Sequence, residues 1–164
     1  ESEEGKGSVF TIDVPFTIDR EPERHRVAPL GLEDCSISGM NIMLAEDNEL
    51  NTEVANALLT SEGAVVTCVP NGKEALELFC KKPAGSFDAI LMDIMMPVMD
   101  GYEAARAIRV SDKRDAATVP IIAMTANAFS EDAKAAKEAG MNAHIAKPID
   151  LAVVKRTIAE CCLR

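Results

Sequence analysis

From Met40 onward the chain alternates between short apolar runs and stretches with helical periodicity. The runs "NIMLA" (41–45), "AVVTCV" (64–69), "FDAILMD" (87–93), "VPIIAMT" (119–125) and "AHIAK" (143–147) predict five strands. A helix is expected after each. "ELNTEVANALLTSEG" (49–63) sets Leu50, Val54 and Leu58 on one face and ends at Gly63, and "NGKEALELFCKK" (71–82) brings Leu76 and Phe79 together. "GYEAARAIRV" (101–110) is helical, and "SEDAKAAKEAG" (130–140) has a Ser cap, acids in its first turn and a closing Gly. "DLAVVKRTIAECC" (150–162) starts at an Asp150 cap and aligns Leu151, Val154 and Ile158. The first, third and fourth strands are almost unbroken apolar runs, as in strands buried on both faces. The expected fold is α/β: a doubly wound five-stranded parallel sheet with helices on both faces.

The first forty residues follow another pattern. "GKGSVFTIDVPF" (5–16) reads as a Gly-rich turn followed by an alternating strand. "DREPERHRVAPLGLEDCS" (19–36) mixes Pro, Gly and charge without periodicity and reads as a linker. A lone strand cannot build a core, so the opening segment is expected to be the tail of a preceding domain or a tether. The expected division is an opening remnant at 1–18, a linker at 19–38 and an α/β domain at 39–164.

The chain has 164 residues, 48% of them hydrophobic, enough for one ordinary domain plus an appendage. A formal net charge of -10 argues against nucleic-acid binding, which needs clustered Lys and Arg. It suits a basic partner, or a cation held by carboxylates, or simple solubility. Five scattered cysteines without a CxxC pair indicate neither a disulfide framework nor a zinc site, so a reducing, cytoplasmic setting is expected. No apolar run approaches the ~18 residues that span a bilayer. The fragment is therefore expected to be soluble with no direct membrane contact, while a membrane-anchored parent is compatible with it.

In a parallel sheet of this kind, ligands bind beyond the carboxyl ends of the strands. The first strand ends in Glu46 and Asp47, the third in Asp93, the fourth in Thr125 and the fifth in Lys147, whereas the second offers only Pro70 and Asn71. Crowded carboxylates repel unless a cation intervenes, and an all-oxygen ligand set favours a hard cation, Mg²⁺ before zinc or copper. Mg²⁺ with few protein ligands usually serves phosphate oxygens. Lys147 can meet a phosphoryl oxygen as a point charge, Thr125 can donate to another, and a carboxylate can be the nucleophile that forms an acyl phosphate.

With "LAEDNELN", "LMDIMMPVMDG", "AMTA" and "AKP" in this order and at these strand ends, residues 40–163 resemble a CheY-like response-regulator receiver domain. The resemblance implies the flavodoxin-like strand order 2-1-3-4-5. It implies that Asp93 accepts a phosphoryl group from a phosphohistidine. Asp47 and Asp93 would ligate Mg²⁺ directly, Glu46 directly or through water, and the Met95 backbone carbonyl would complete the protein ligands. Lys147 would bind the phosphoryl group, Thr125 would turn toward it after transfer, and Lys147-Pro148 matches a bond this family holds cis. The opening "GKGSVFTIDVPF" resembles the last Gly turn and strand of a histidine-kinase ATP-binding domain, which implies a hybrid histidine kinase as parent. The fragment itself would not bind ATP.

Two positions depart from or tune the pattern. His144 stands where the family usually has an aromatic switch residue; it is either a plain surface side chain or a group that turns inward with Thr125 and makes the switch pH-sensitive. Met95 and Asn127 lie two residues after Asp93 and Thr125, where the family tunes hydrolysis, and an apolar Met95 implies slow self-dephosphorylation. Three rivals are weighed. An FMN binder would need a Gly/Ser/Thr phosphate loop where "EDNELN" stands. A phosphohydrolase would need an acid at Met95. A pseudo-receiver, acting only as an interaction module, would usually lack Asp93, the acidic pair or Lys147. The expected partners are a histidine-kinase phosphodonor domain and a histidine phosphotransfer protein, docking near the first helix by Asn48 and Asn51. Neither His25 nor His144 is placed as an internal donor.

Overall fold

A computed structural model describes the backbone of residues 2–3, 7–8, 35–126 and 130–162, and the side chains of 35–126 and 133–162. The chain divides into two compact units, Glu1–Leu32 and Glu33–Arg164. In the first, Ser2–Glu3 pairs antiparallel with Gly7–Ser8. The rest of the strand expected over 5–16, and the linker up to residue 34, lie outside the described residues. In the second unit Ile37 is buried and joins the core, so packing begins within the stretch that reads as linker.

The second unit repeats strand and helix five times. The elements are β1 (Asn41–Ala45), α1 (Glu49–Ser61), β2 (Val65–Val69), α2 (Gly72–Lys81), β3 (Ala89–Asp93), α3 (Gly101–Arg109), β4 (Ile121–Thr125), α4 (Ser130–Glu138), β5 (Ala143–Ala146) and α5 (Leu151–Cys162). All five strands are parallel, in the order β2-β1-β3-β4-β5. Every residue of β3 and β4 is buried, as are Ile42–Ala45 of β1, which explains their unbroken apolar runs.

The pleat sends alternate residues to opposite faces. Ile90 and Met92 join Phe79 of α2 and Ile108 of α3 on one side of the sheet. Leu91, between them, joins Leu59 of α1 with Val154 and Ile158 of α5 on the other. Complete burial of a side chain the size of Phe79 or Leu59 stabilises by about 1.5–3 kcal/mol, so the two layers together hold the sheet rigid. Helix starts are fixed locally: Asn48, Asn71 and Asp100 accept from the third residue beyond them, Asp100 as part of a capping box with Glu103, and Asp150 accepts from Ala152 and Val153.

One expectation is corrected in α1. Leu50 and Val54 are 68% and 51% exposed, and the helix buries Ala55 and Leu59 instead. Leu59 is completely buried against the sheet, and in this orientation the Asn51 side-chain amide also donates to Glu46 Oε1 at 2.7 Å. The Leu50–Val54 face is then left outward.

Candidate functional site

The strand ends are brought together as the sequence implies. β1 runs into Glu46, whose backbone N–H donates to Val69 of the neighbouring β2. Its side chain is buried, held by the Asn51 amide, while Asp47 beside it is exposed. β3 ends in Asp93, whose carboxylate is almost completely buried and accepts from the Met95 backbone N–H at 3.3 Å. Thr125 closes β4, buried, and its carbonyl accepts from Lys147 N at 2.8 Å. Lys147 follows β5, and the Lys147-Pro148 bond is cis.

The loop after Asp93 turns sharply. Met99 N donates to Pro97 O two residues back, with Val98 at φ 70° between them. Gly101 N then donates to Ile94 O, and α3 starts against the end of β3. A Cβ on Gly101 would stand 2.1 Å from the Asp93 carbonyl oxygen, so only glycine lets the helix approach this closely.

The charged groups form one cluster. Lys147 Nζ lies 2.6 Å from Glu46 Oε2 and 2.7 Å from Asp93 Oδ2. Glu46, Asp47 and Asp93 each offer a carboxylate oxygen within 4.8 Å of the others, the only such group of three metal-ligating side chains among the described residues. Burial pushes the Asp93 carboxyl above its ordinary value and Glu46 adds to this; Lys147 and the Met95 N–H oppose it without prevailing. Burial works to lower the Lys147 ammonium, yet hydrogen bonds and charge from Asp93 and Glu46 outweigh it and raise it. The two shifts are consistent: Lys147 faces two carboxylates, whereas Asp93 has only a share of one ammonium.

Three carboxylates against one ammonium leave a formal surplus of two negative charges. Oxygen donors at this spacing fit a hard divalent cation, and Mg²⁺ suits them better than a soft metal does. The arrangement offers a buried carboxylate, neighbouring carboxylate oxygens that could hold a cation, and an ammonium against Glu46 and Asp93.

The remaining expected residues have distinct places. Met95, two residues after Asp93, is 79% exposed. His144 is exposed, faces Ala123 in the sheet register, and lines a groove of about 400 Å³ with Lys137 and Met141. Asn127 lies outside the described residues. The sequence reading overlooked Thr52, whose hydroxyl reaches the Glu46 carbonyl at 3.4 Å, and the role of Asn51 in fixing Glu46. The Asn48 cap held the signal, since it starts α1 and so sets which residues of the first turn face Glu46. Also unanticipated was Arg109, which donates to the carbonyls of Gly140 and Ala116 and to Asn142 Oδ1, tying α3 to the approach to β5.

Among the described residues, no helix is long and apolar enough to cross a membrane. Residues 42–159 match the family described as the response regulator receiver domain. A probable histidine kinase 5 of Oryza sativa subsp. japonica is 37% identical over 132 residues, 70% of this chain; the match spans 11% of that relative's length. Among solved structures, the receiver domain of a sensor histidine kinase from Pseudomonas aeruginosa, with a magnesium ion coordinated in its active-site cleft, is 40% identical. It superimposes with a TM-score of 0.68 over 77% of this chain and 100% of its own. The receiver domain of Saccharomyces cerevisiae Ssk1, crystallised with the histidine phosphotransfer protein Ypd1, is among the similar structures, with 27% identity and a TM-score of 0.66. That match covers 77% of this chain and 91% of the other.

Proposed function

This chain belongs to the response regulator receiver domain family, and on that premise we propose that it accepts a phosphoryl group from a phosphohistidine onto Asp93 in a Mg²⁺-dependent reaction and passes it to, or signals through, a partner. The observation that carries this reading is the single cluster of Asp93, Glu46, Asp47 and Lys147 at the carboxyl edge of the sheet.

In this reading Asp93 forms the new bond from a carboxylate oxygen to phosphorus, the phosphorus–nitrogen bond breaks, and the electron pair leaves with the donor imidazole. Glu46, Asp47 and Asp93 would hold Mg²⁺, with the Met95 carbonyl as a further ligand. The ion would supply charge neutralisation for the phosphoryl oxygens. Lys147 keeps its ammonium protonated between two carboxylates and can transfer a hydrogen bond to an incoming phosphoryl oxygen. Thr125, at the adjacent strand end, is the hydroxyl expected to follow. Burial of Asp93 excludes bulk water from the nucleophile, and the rigid β3 mount keeps it in position.

The expected partners are a histidine-kinase phosphodonor domain and a histidine phosphotransfer protein, docking beside α1. A hybrid histidine kinase is the proposed parent, in keeping with the kinase relatives. A reducing, cytoplasmic setting is proposed, because the five cysteines are scattered without a CxxC pair. The test is incubation with acetyl phosphate or beryllofluoride and Mg²⁺, followed by intact mass and amide NMR shifts. Wild type should react and Asp93→Asn should not. A wild type inert to both reagents would leave an interaction module without phosphoryl chemistry.

A further inference from the structure

Both buried carboxylates of the cluster are gripped at each oxygen. Asp93 accepts from the Met95 N–H at Oδ1 and meets Lys147 at Oδ2. Glu46 meets Lys147 Nζ at Oε2, at 2.6 Å, and accepts from the Asn51 side-chain amide at Oε1, at 2.7 Å. The two grips on Glu46 differ in kind. Lys147 carries its ammonium on a long flexible stem and is shared between two carboxylates, so it is free to yield Oε2 to another cation. Asn51 acts on a short stem from the first turn of α1, where its backbone N–H donates to the Asn48 cap at 3.1 Å. The hydroxyl of Thr52, the next residue, reaches the Glu46 carbonyl from the same turn. The grip on Oε1 is therefore fixed by the helix, whereas the grip on Oε2 is not.

Asn51 is itself exposed. Water would satisfy its amide equally well, so the bond matters for its buried acceptor more than for Asn51. Its effect on Glu46 is to fix the rotation of the carboxylate. Bidentate ligation needs both oxygens of a carboxylate turned to one ion. With Oε1 held toward α1, Glu46 offers Oε2 alone. That limit separates two hard cations. Ca²⁺ takes roughly 6–8 oxygens and accepts carboxylates bidentately, whereas Mg²⁺ demands a near-ideal octahedron and fills the places left by single carboxylate oxygens with water. A seat in which Glu46 contributes one oxygen suits Mg²⁺. Releasing Oε1 would add a ligand that Ca²⁺ uses and Mg²⁺ does not. Asp47 is exposed and stands outside this bond, so its contribution is the same with or without Asn51.

We propose that Asn51 is a positioning residue for metal selectivity: by holding Glu46 Oε1 it keeps Glu46 a one-oxygen ligand and biases the site toward Mg²⁺ over Ca²⁺. The inference rests on the Mg²⁺ reading above and goes beyond it, because it assigns the choice of ion to a residue outside the ligand set.

The test titrates Mg²⁺ alone and Ca²⁺ alone into the isotope-labelled chain and follows the amides of Asp47, Asp93 and Ile94. In Asn51→Leu the ratio of the two dissociation constants should move toward Ca²⁺ by about tenfold, the effect of one hydrogen bond to a charged group. Asn51→Ala repeats the measurement with a small side chain that favours the helix. Neither substitution strips the core, because Asn51 is exposed. In a Glu46→Gln background Asn51→Leu should leave the ratio where Glu46→Gln alone puts it, since the two residues act as one unit. A merely structural role for Asn51 would weaken both ions alike and would not depend on Glu46. Equal weakening of the two ions, a ratio moved by less than about twofold, or the full shift persisting in the Glu46→Gln background would overturn the proposal. If Mg²⁺ leaves the cluster amides of wild type unmoved, the Mg²⁺ reading and the selectivity fall together. If Mg²⁺ binds wild type and the ratio holds in both variants, the selectivity falls alone.

Discussion

Lys147 Nζ lies within 2.7 Å of carboxylate oxygens from both Glu46 and Asp93, so one ammonium joins the ends of β1 and β3 from a position after β5. Nearly all of both carboxylates is withdrawn from water, and Lys147 is the cation that serves them.

Removing that ammonium should leave two buried carboxylates facing each other. Lys147→Met is expected to lose about 2 kcal/mol of stability without a divalent ion, less than a fully buried pair because the lysine side chain is partly exposed. Mg²⁺ should restore more stability to the variant than to wild type. Thermal melts in chelator and in Mg²⁺ check this, and identical melts of the two proteins in chelator would refute it.

Acid should weaken the cation seat earlier than for an ordinary aspartate. The Asp93 carboxyl is raised, chiefly by burial, so its protonated form is populated at pH values where a free aspartate is already ionised. Protons then compete with the cation, and Mg²⁺ affinity should fall on acidification starting above the usual aspartate range near 3.8. NMR-monitored Mg²⁺ titrations across pH give the profile; affinity constant down to that value would contradict it.

Met95 stands exposed two residues after Asp93, and its thioether is too weak a hydrogen-bonding group to orient a water. The acyl phosphate is therefore expected to be long-lived. Met95→Asn should shorten its lifetime about tenfold, the effect of one hydrogen bond of about 1.4 kcal/mol realised in the transition state. Decay of the phosphorylated mass peak measures it, and an unchanged lifetime would remove Met95 as the cause.

Gly101→Ala should damage fold and site together. Its Cβ would fall 2.1 Å from the Asp93 carbonyl oxygen, so α3 or the end of β3 must move. A loss of about 3 kcal/mol or more is expected, at the upper end of overpacking effects, together with slower labelling by acetyl phosphate. Wild-type stability in the variant would show that the approach of α3 is looser than described.

Val98 gives the opposite sign. A β-branched residue at φ 70° is strained, and its side chain is 79% exposed and contributes little packing in return. Val98→Gly should raise stability by about 1 kcal/mol after allowing for the greater freedom of glycine in the unfolded chain. Urea midpoints decide it, and a lower midpoint would mean the turn is not strained.

The sequence alone determined the alternation of strand and helix, because burial on both faces of a parallel sheet forces unbroken apolar runs in β1, β3 and β4. It also determined the membership of the cluster, since the ends of parallel strands must share one edge. Only the tertiary structure decided the pairing within it. That Lys147 reaches both Glu46 and Asp93 depends on sheet order and strand length, which local pattern does not encode. The rotation of α1 was likewise undecided: its periodicity allows both the Leu50–Val54–Leu58 face and the Ala55–Leu59 face to turn inward. In the fold the second is buried, and Asn51 then also reaches Glu46. Helix rotation is settled by what the neighbouring strands bury, Leu59 completely while Leu50 and Val54 stay exposed, and the helix's own periodicity does not carry that information.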